Sequence, residues 1–289
     1  MQTLFRFDDA GLIVGTREPD AVHGPVFWIA RGREGCVWAV RRDTPKRVQR
    51  ELEELAADEP PAADFRAPPV HARRYRSLIS GEVAAGPAFH FPHSLPEPTG
   101  VVFASDVGRL LLHFPDWRAD EVDGRTPIAT VERDERAISV CCSARKSPVA
   151  AEAGLETAPA FRGHGLAARV TSAWALAVRS SGRVPLYSTS WDNVASQAVA
   201  RKLGLTMYAS AWSLNDATSR QPVGQQGALA RRSEPSEGGR PALHRAARRA
   251  EHSLHHKDAR PRGRDGGRDA LPPEDGDARG QRIRSLVLR

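Results

Sequence analysis

Two glutamates and one glycine-containing turn carry most of the chemistry legible in this chain. Glu152 and Glu156 lie four apart in the otherwise apolar run Ala151-Glu152-Ala153-Gly154-Leu155-Glu156-Thr157. In an extended strand that spacing puts both carboxylates on one face. A carboxylate within an apolar strand is costly unless it faces solvent at a cleft edge or has work to do. The work open to it is proton abstraction. Glu156, nearer the turn, is the first candidate base and Glu152 the second. The turn itself reads Arg162-Gly163-His164-Gly165-Leu166-Ala167. Its small residues let a ligand approach the backbone. If a helix begins there, its first N–H groups are unpaired and its end carries partial positive charge. Such an end suits a phosphate. The plainer alternative is a helix that merely starts after a glycine turn.

The flanking pattern supplies the elements that must position these groups. Runs over 127–132, 137–143 and 151–157 read as strands. The span 163–179 reads as a long helix, with Leu166, Val170, Ala173, Trp174 and Ala177 at helical spacing. A strand over 185–191, a helix over 193–203 stopped by Gly204, and a strand over 205–212 follow. Upstream, 26–30 and 36–41 read as a hairpin. Pro45 opens a helix whose stripe is Val48, Leu52 and Leu55, and Pro60 and Pro61 end it. The stretch up to Gly100 is rich in Pro and Gly and gives no assignment beyond a short element near 73–80. A strand over 101–105 and a helix over 106–117, broken by Pro115, complete the reading.

Arg162-x-x-Gly165-x-Ala167 matches the Q/R-x-x-G-x-G/A pyrophosphate loop of the GNAT acyltransferases. Asn193, Ser196 and Lys202-Leu203-Gly204-Leu205 resemble that family's N-x-x-A/S and K-x-G-F/L segment. The order strand, loop, helix, strand, helix, strand agrees too, over roughly 125–214. The resemblance implies a mixed α/β fold with a mostly antiparallel central sheet flanked by helices. It further implies acetyl-CoA as acyl donor, no metal, and an amine acceptor, either a small molecule or a peptide. The pyrophosphate is then expected on Arg162, Gly163, His164, Gly165, Leu166 and Ala167. The pantetheine arm is expected along Leu155, Thr157 and Ala158, with Asn193 and Ser196 beside it. Asn193 equally suits a helix cap, and Arg162 and His164 a solvated loop. One position departs from the family: many members carry a tyrosine seven residues after the asparagine, to protonate the leaving thiolate, and here it is Ala200. Tyr187, Ser188, Ser190 and Tyr208 are the possible substitutes.

Charge is unevenly distributed. Of 42 Lys+Arg and 35 Asp+Glu, 16 and 10 fall in 216–289, a segment without Phe, Tyr, Trp or Met. The first 215 residues are therefore near neutral, with 26 basic and 25 acidic groups. Too few apolar residues follow Leu214 for a packed core, and this tail is expected to be disordered. With ten acids among its bases and no stacking aromatics, nucleic-acid binding through it is the least favoured function. Three cysteines, Cys36, Cys141 and Cys142, show no metal-ligand spacing, and a reducing cytoplasm is expected. No run approaches a membrane span. The expected organisation is an α+β region over 1–110 on the acceptor side, an acyl-CoA-binding domain over 110–215, and the tail over 216–289. The expected activity is N-acetyl transfer; an acyl-CoA sensor without turnover is the alternative that Ala200 invites.

Overall fold

The computed structural model describes residues 1–19 and 22–219. Eleven strands and five α-helices occur among them. A small hairpin, β1 (Phe5–Phe7) with β2 (Ile13–Thr16), precedes β3 (Phe27–Gly32), β4 (Cys36–Val40), α1 (Lys46–Ala57), α2 (Ala72–Leu78) and β5 (Glu82–His90). Then come β6 (Val102–Phe103), α3 (Val122–Arg125), β7 (Ala129–Arg133), β8 (Arg136–Lys146) and β9 (Ala150–Thr157). The chain continues through α4 (Leu166–Ser180), β10 (Val184–Ser188), α5 (Val194–Lys202) and β11 (Thr206–Asn215). Nine strands form one sheet in the order β4-β3-β11-β5-β10-β9-β8-β7-β6. Every neighbouring pair is antiparallel except β9 and β10. The expected mixed, mostly antiparallel α/β fold is therefore present. Strands from both sides of residue 110 share this sheet. No helix of the described residues is long and apolar enough to cross a membrane.

A parallel pair needs a crossover, and α4 supplies it. Its apolar stripe, Val170, Ala173 and Trp174, packs on Ala151 and Ala153 of β9 and Cys141 of β8. Trp174 is wholly buried and its indole N–H donates to Ser143 Oγ at 3.2 Å. The opposite face of β8 is covered by Leu110, Phe114, Trp117, Val122 and Ile128, packed on Val140 and Cys142. Both neighbouring cysteines are thus core residues, and burial pushes the Cys142 thiol up to about 12. On the far side of the sheet, α1 buries Leu52 against Phe27, Ile29, Tyr75 and Leu214.

Three expectations need correction. The span 106–117 is not an α-helix: Asp106 caps a single 3₁₀ turn, Val107–Arg109, through the Gly108 N–H at 2.9 Å. Gly108 and Pro115 leave no room for a longer run. The Pro/Gly stretch before Gly100 contains β5, a central strand lying between β10 and β11. It tolerates Pro87 because the β10 ladder covers only Ala88–His90, so that edge lies beyond the β10 register. Gly86 is required there: a Cβ would lie 1.7 Å from the Thr189 carbonyl oxygen, where the chain leaving β10 crosses β5. The first four residues of the expected tail, 216–219, lastly, are placed by the structure. Asp216 closes a turn with Thr218 and Ser219 and accepts from the buried Arg41 guanidinium at 2.5 and 3.1 Å. The remainder of the expected tail lies outside the described residues.

Gly86→Ala is expected to lower the stability of the fold by about 2–4 kcal/mol, because either β5 or the 189–190 backbone must move. Urea denaturation of wild type and variant measures it; equal midpoints would contradict the close crossing.

Candidate active site

β9 and β10 pair only from Val184↔Ala150 to Leu186↔Glu152. Past that point they part. β10 continues against β5, through Tyr187↔Phe89 and Ser188↔Ala88. β9 continues against β8 alone, so from Gly154 to Thr157 its other edge has no strand. At about 3.3 Å per residue this open edge is about 13 Å long. A wedge results, closed at Glu152 and Leu186 and open toward the C-terminal ends of both strands.

The mouth of the wedge meets the start of α4. Gly163 and Gly165 hold φ of +84° and +75°, a left-handed conformation that glycine adopts at no steric cost. Gly165 is the N-cap residue, and α4 has no side-chain cap. The N–H groups of Gly163, Gly165, Leu166, Ala167 and Ala168 donate to no protein acceptor among the described residues. The predicted turn therefore presents a row of free donors at the positive end of a 15-residue helix. Arg162 is folded back, its Nε donating to the Thr157 carbonyl at 3.2 Å. His164 lies against the Phe161 carbonyl at 3.3 Å. Both are loop residues whose observed bonds are local.

Lys202 is a residue that the site reading left out. A Cβ on Gly165 would lie 2.7 Å from its Nζ, so the ammonium of the last turn of α5 sits over the free end of α4. Lys202 has no ion-pair or hydrogen-bond partner among the described residues. The Lys202-Leu203-Gly204-Leu205 segment was the available signal, but sequence alone does not bring an ammonium on α5 to the first turn of α4. Asn193 behaves as a cap: its Oδ1 accepts from the Ser196 N–H at 2.9 Å. Ser196 Oγ lies 2.7 Å from the Tyr187 hydroxyl, which is buried among Phe89, Phe91 and Trp174. Burial raises the Tyr187 phenol above its ordinary value. Ala200 is buried and brings no polar group to the wedge. Tyr208 is the residue bulged out of the β5–β11 register, stacked on His90.

The two glutamates share a face of β9, as predicted, but not an environment. Glu156 stands opposite Val140, beside the cluster that contains Phe114 and Trp117. Desolvation pushes its carboxyl up to about 7; Arg125 lowers it and Asp116 raises it by smaller amounts. No hydrogen bond to its carboxylate occurs among the described residues. Glu152 is 3% exposed and fully engaged. It accepts from Arg145 Nη1 at 2.8 Å and from Ser188 Oγ at 2.5 Å, and Arg145 also pairs with the buried Glu18. Leu155 and Thr157 lie on the open edge, with Ser139 Oγ 2.8 Å from the Thr157 hydroxyl. Ala158 donates its N–H to Ile138. Among the described residues no cluster of three or more His, Cys, Asp or Glu could hold a metal ion.

A splayed parallel pair leading to an uncapped, glycine-started helix has a shape and polarity suited to an extended ligand that ends in an anionic group. Residues 129–210 match the family model described as GNAT acetyltransferase, which bears out the resemblance over β7 to β11. Solved structures similar in part include an acetyltransferase of the GNAT family from Novosphingobium aromaticivorans, at 23% identity over 47% of this chain and 66% of that one, TM-score 0.40. A GNAT-family acetyltransferase from Colwellia psychrerythraea has 15% identity over 49% of this chain and 62% of its own, TM-score 0.38. A tandem GNAT protein from the clavulanic acid biosynthesis pathway has 16% identity, 61% and 72% coverage, and a TM-score of 0.40. The chain spans about two thirds of the length of the first two. No curated protein matches at a significant level.

Raising the Glu156 carboxyl above its ordinary value of 4.5 means that the fold favours the protonated form. Its penalty is absent below pH 4.5 and is fully present once pH passes about 7. Glu156→Gln is therefore expected to stabilise the chain at pH 8 by about 1–2 kcal/mol, a figure discounted for partial exposure, and by almost nothing at pH 4.5. Thermal melts at the two pH values check this. A variant less stable than wild type at pH 8 would show the carboxylate to be structurally paired.

Proposed function

We propose that this chain is an acyl-CoA-dependent N-acyltransferase that transfers an acyl group, acetyl in the simplest case, to an amine. The observation that carries the reading is the wedge between β9 and β10, continuous with the uncapped N-terminus of α4 and flanked by the desolvated carboxylate of Glu156. In this reading the N–H groups of 163–168 and the Lys202 ammonium hold the pyrophosphate. The open edge of β9 over 154–157 bonds the amides of the pantetheine arm. Acetyl-CoA supplies an activated thioester carbonyl.

Glu156 takes one proton from the acceptor ammonium, and its raised pKa places it well for that task near neutral pH. The freed amine adds to the carbonyl carbon, the C–N bond forms, and the C–S bond breaks. The nitrogen loses its second proton to water, and the thiolate takes up one proton to leave as free CoA. With Ala200 in place of a phenol, that last step relies on the acidity of the thiol itself, ordinarily near pKa 8.5. Glu152, committed to Arg145 and Ser188, is not the base in this scheme. The second reading, an acyl-CoA sensor without turnover, draws on Ala200 alone. The acceptor-side role of residues 1–110 and the cytoplasmic setting belong to the same proposal.

Acceptor-dependent release of CoA from acetyl-CoA, screened over small amines and peptide N-termini, tests turnover. With a productive amine, kcat/KM is expected to rise with pH through about 7 as Glu156 ionises. Glu156→Gln should lower it about 10²–10⁴-fold and remove that limb. Acetyl-CoA binding without release for any amine would leave the sensor reading standing; an unaltered profile in the variant would remove Glu156 from the chemistry.

A further inference from the structure

The closed end of the wedge is built differently from the rest. On β10, Ser188 lies two residues past Leu186, the last residue paired with β9. Backbone pairing has ended there, yet the Ser188 hydroxyl still reaches back to the Glu152 carboxylate at 2.5 Å. A side-chain bond therefore spans the gap just where the strands begin to separate. Its acceptor cannot swing away. Glu152 Oε2 is held by Arg145 Nη1 at 2.8 Å, and Arg145 is held in turn by Glu18, whose side chain is 2% exposed. A register shift in β8 between Ser143 and Arg145 sets this up: it places Arg145, rather than Ala144, opposite Glu152. On the other face of the sheet the same depth is filled by Tyr187, whose ring meets Phe89 and Phe91 and whose hydroxyl meets Ser196.

We infer that the Ser188–Glu152 bridge, locked by Arg145 and Glu18, is the floor of the acyl pocket and restricts the donor to short acyl groups. The inference rests on the acyl-CoA reading of the wedge. An arm entering from α4 and lying along 154–157 ends with its thioester pointing at this bridge. A two-carbon acyl group stops short of it. Each added methylene must displace a hydrogen-bonded hydroxyl or press an apolar chain against a buried, charged carboxylate. Ser188 is thus a specificity residue and takes no part in bond making.

Acetyl-CoA and butyryl-CoA are titrated calorimetrically into the full chain as wild type, Ser188→Ala and Ser188→Thr, with thermal melts confirming that each variant is folded. Wild type is expected to bind acetyl-CoA more tightly by roughly 10-fold or more, the usual scale for rejecting extra methylenes. Ser188→Ala, which opens the floor, should narrow that ratio about fivefold or more on the same scale. Ser188→Thr keeps the hydroxyl and should retain the wild-type ratio. Equal affinities in wild type, or an unmoved ratio in folded Ser188→Ala, would overturn the inference. Should Ser188→Ala fail to fold, the wild-type ratio decides alone. The readout needs no acceptor: absent CoA release with the ratio intact sinks the transferase reading and not this one, whereas no binding of either thioester removes both.

Discussion

β9 and β10 run side by side for three residue pairs and then separate, and most of the structure can be traced to that divergence. Parallel strands cannot be joined by a tight turn, so α4 must intervene, and its N-terminus falls at the open end of β9. The divergence itself needs support. Past Leu186, β10 is held on its other edge by β5, so it keeps a partner after leaving β9. β9 is held by an eleven-residue strand, β8, from Ala151 to Thr157. An exposed backbone edge within a sheet is ordinarily a liability. Here it is short and leads into a helix end whose first N–H groups are unbonded among the described residues.

The two faces of the wedge are chemically distinct because strand side chains alternate. Ala151 and Ala153 are small and let α4 approach closely, which brings the helix start to the strand end. Glu152, Gly154 and Glu156 point the other way. Gly154 stays bare because a Cβ would come within 3.0 Å of Ala144. Of the two carboxylates, the one at the closed end is held by a guanidinium and a hydroxyl. The one nearer the mouth is desolvated, with no hydrogen bond to its carboxylate among the described residues and only the weaker pull of Arg125 against that burial. Removing one member of a buried ion pair ordinarily costs about 3–5 kcal/mol, so Glu152 reads as part of the frame. A desolvated carboxylate with a raised pKa instead costs the fold stability above that pKa.

Local pattern made β7 to β11, α4 and α5 legible, since each is a periodic run with a clear stop such as Gly204. The glycine turn before α4 was legible for the same reason: its glycines and the following helix are adjacent in sequence. What stayed hidden depends on distant partners. β5 contains Gly86 and Pro87, which read as loop residues until the crossing at Thr189 explains the first and the end of the β10 ladder the second. The ion pairs of Arg145 join residues 127 and 7 positions away, and the register shift that aims it leaves no trace in composition. Lys202 was seen as a motif letter but not as a charge over α4. Asp216 was assigned by composition to the tail, although one buried arginine, Arg41, suffices to hold it.

Backbone hydrogen–deuterium exchange with and without acetyl-CoA tests the use of the wedge most directly, because it reads the open edge and the helix start in one experiment. Amides within 154–157 and 163–168 should exchange at least about tenfold more slowly with the thioester bound, with little change in α1 and β3, far from the wedge. Tight binding that leaves both segments unprotected would place the ligand elsewhere and contradict the role assigned to the divergence of β9 and β10.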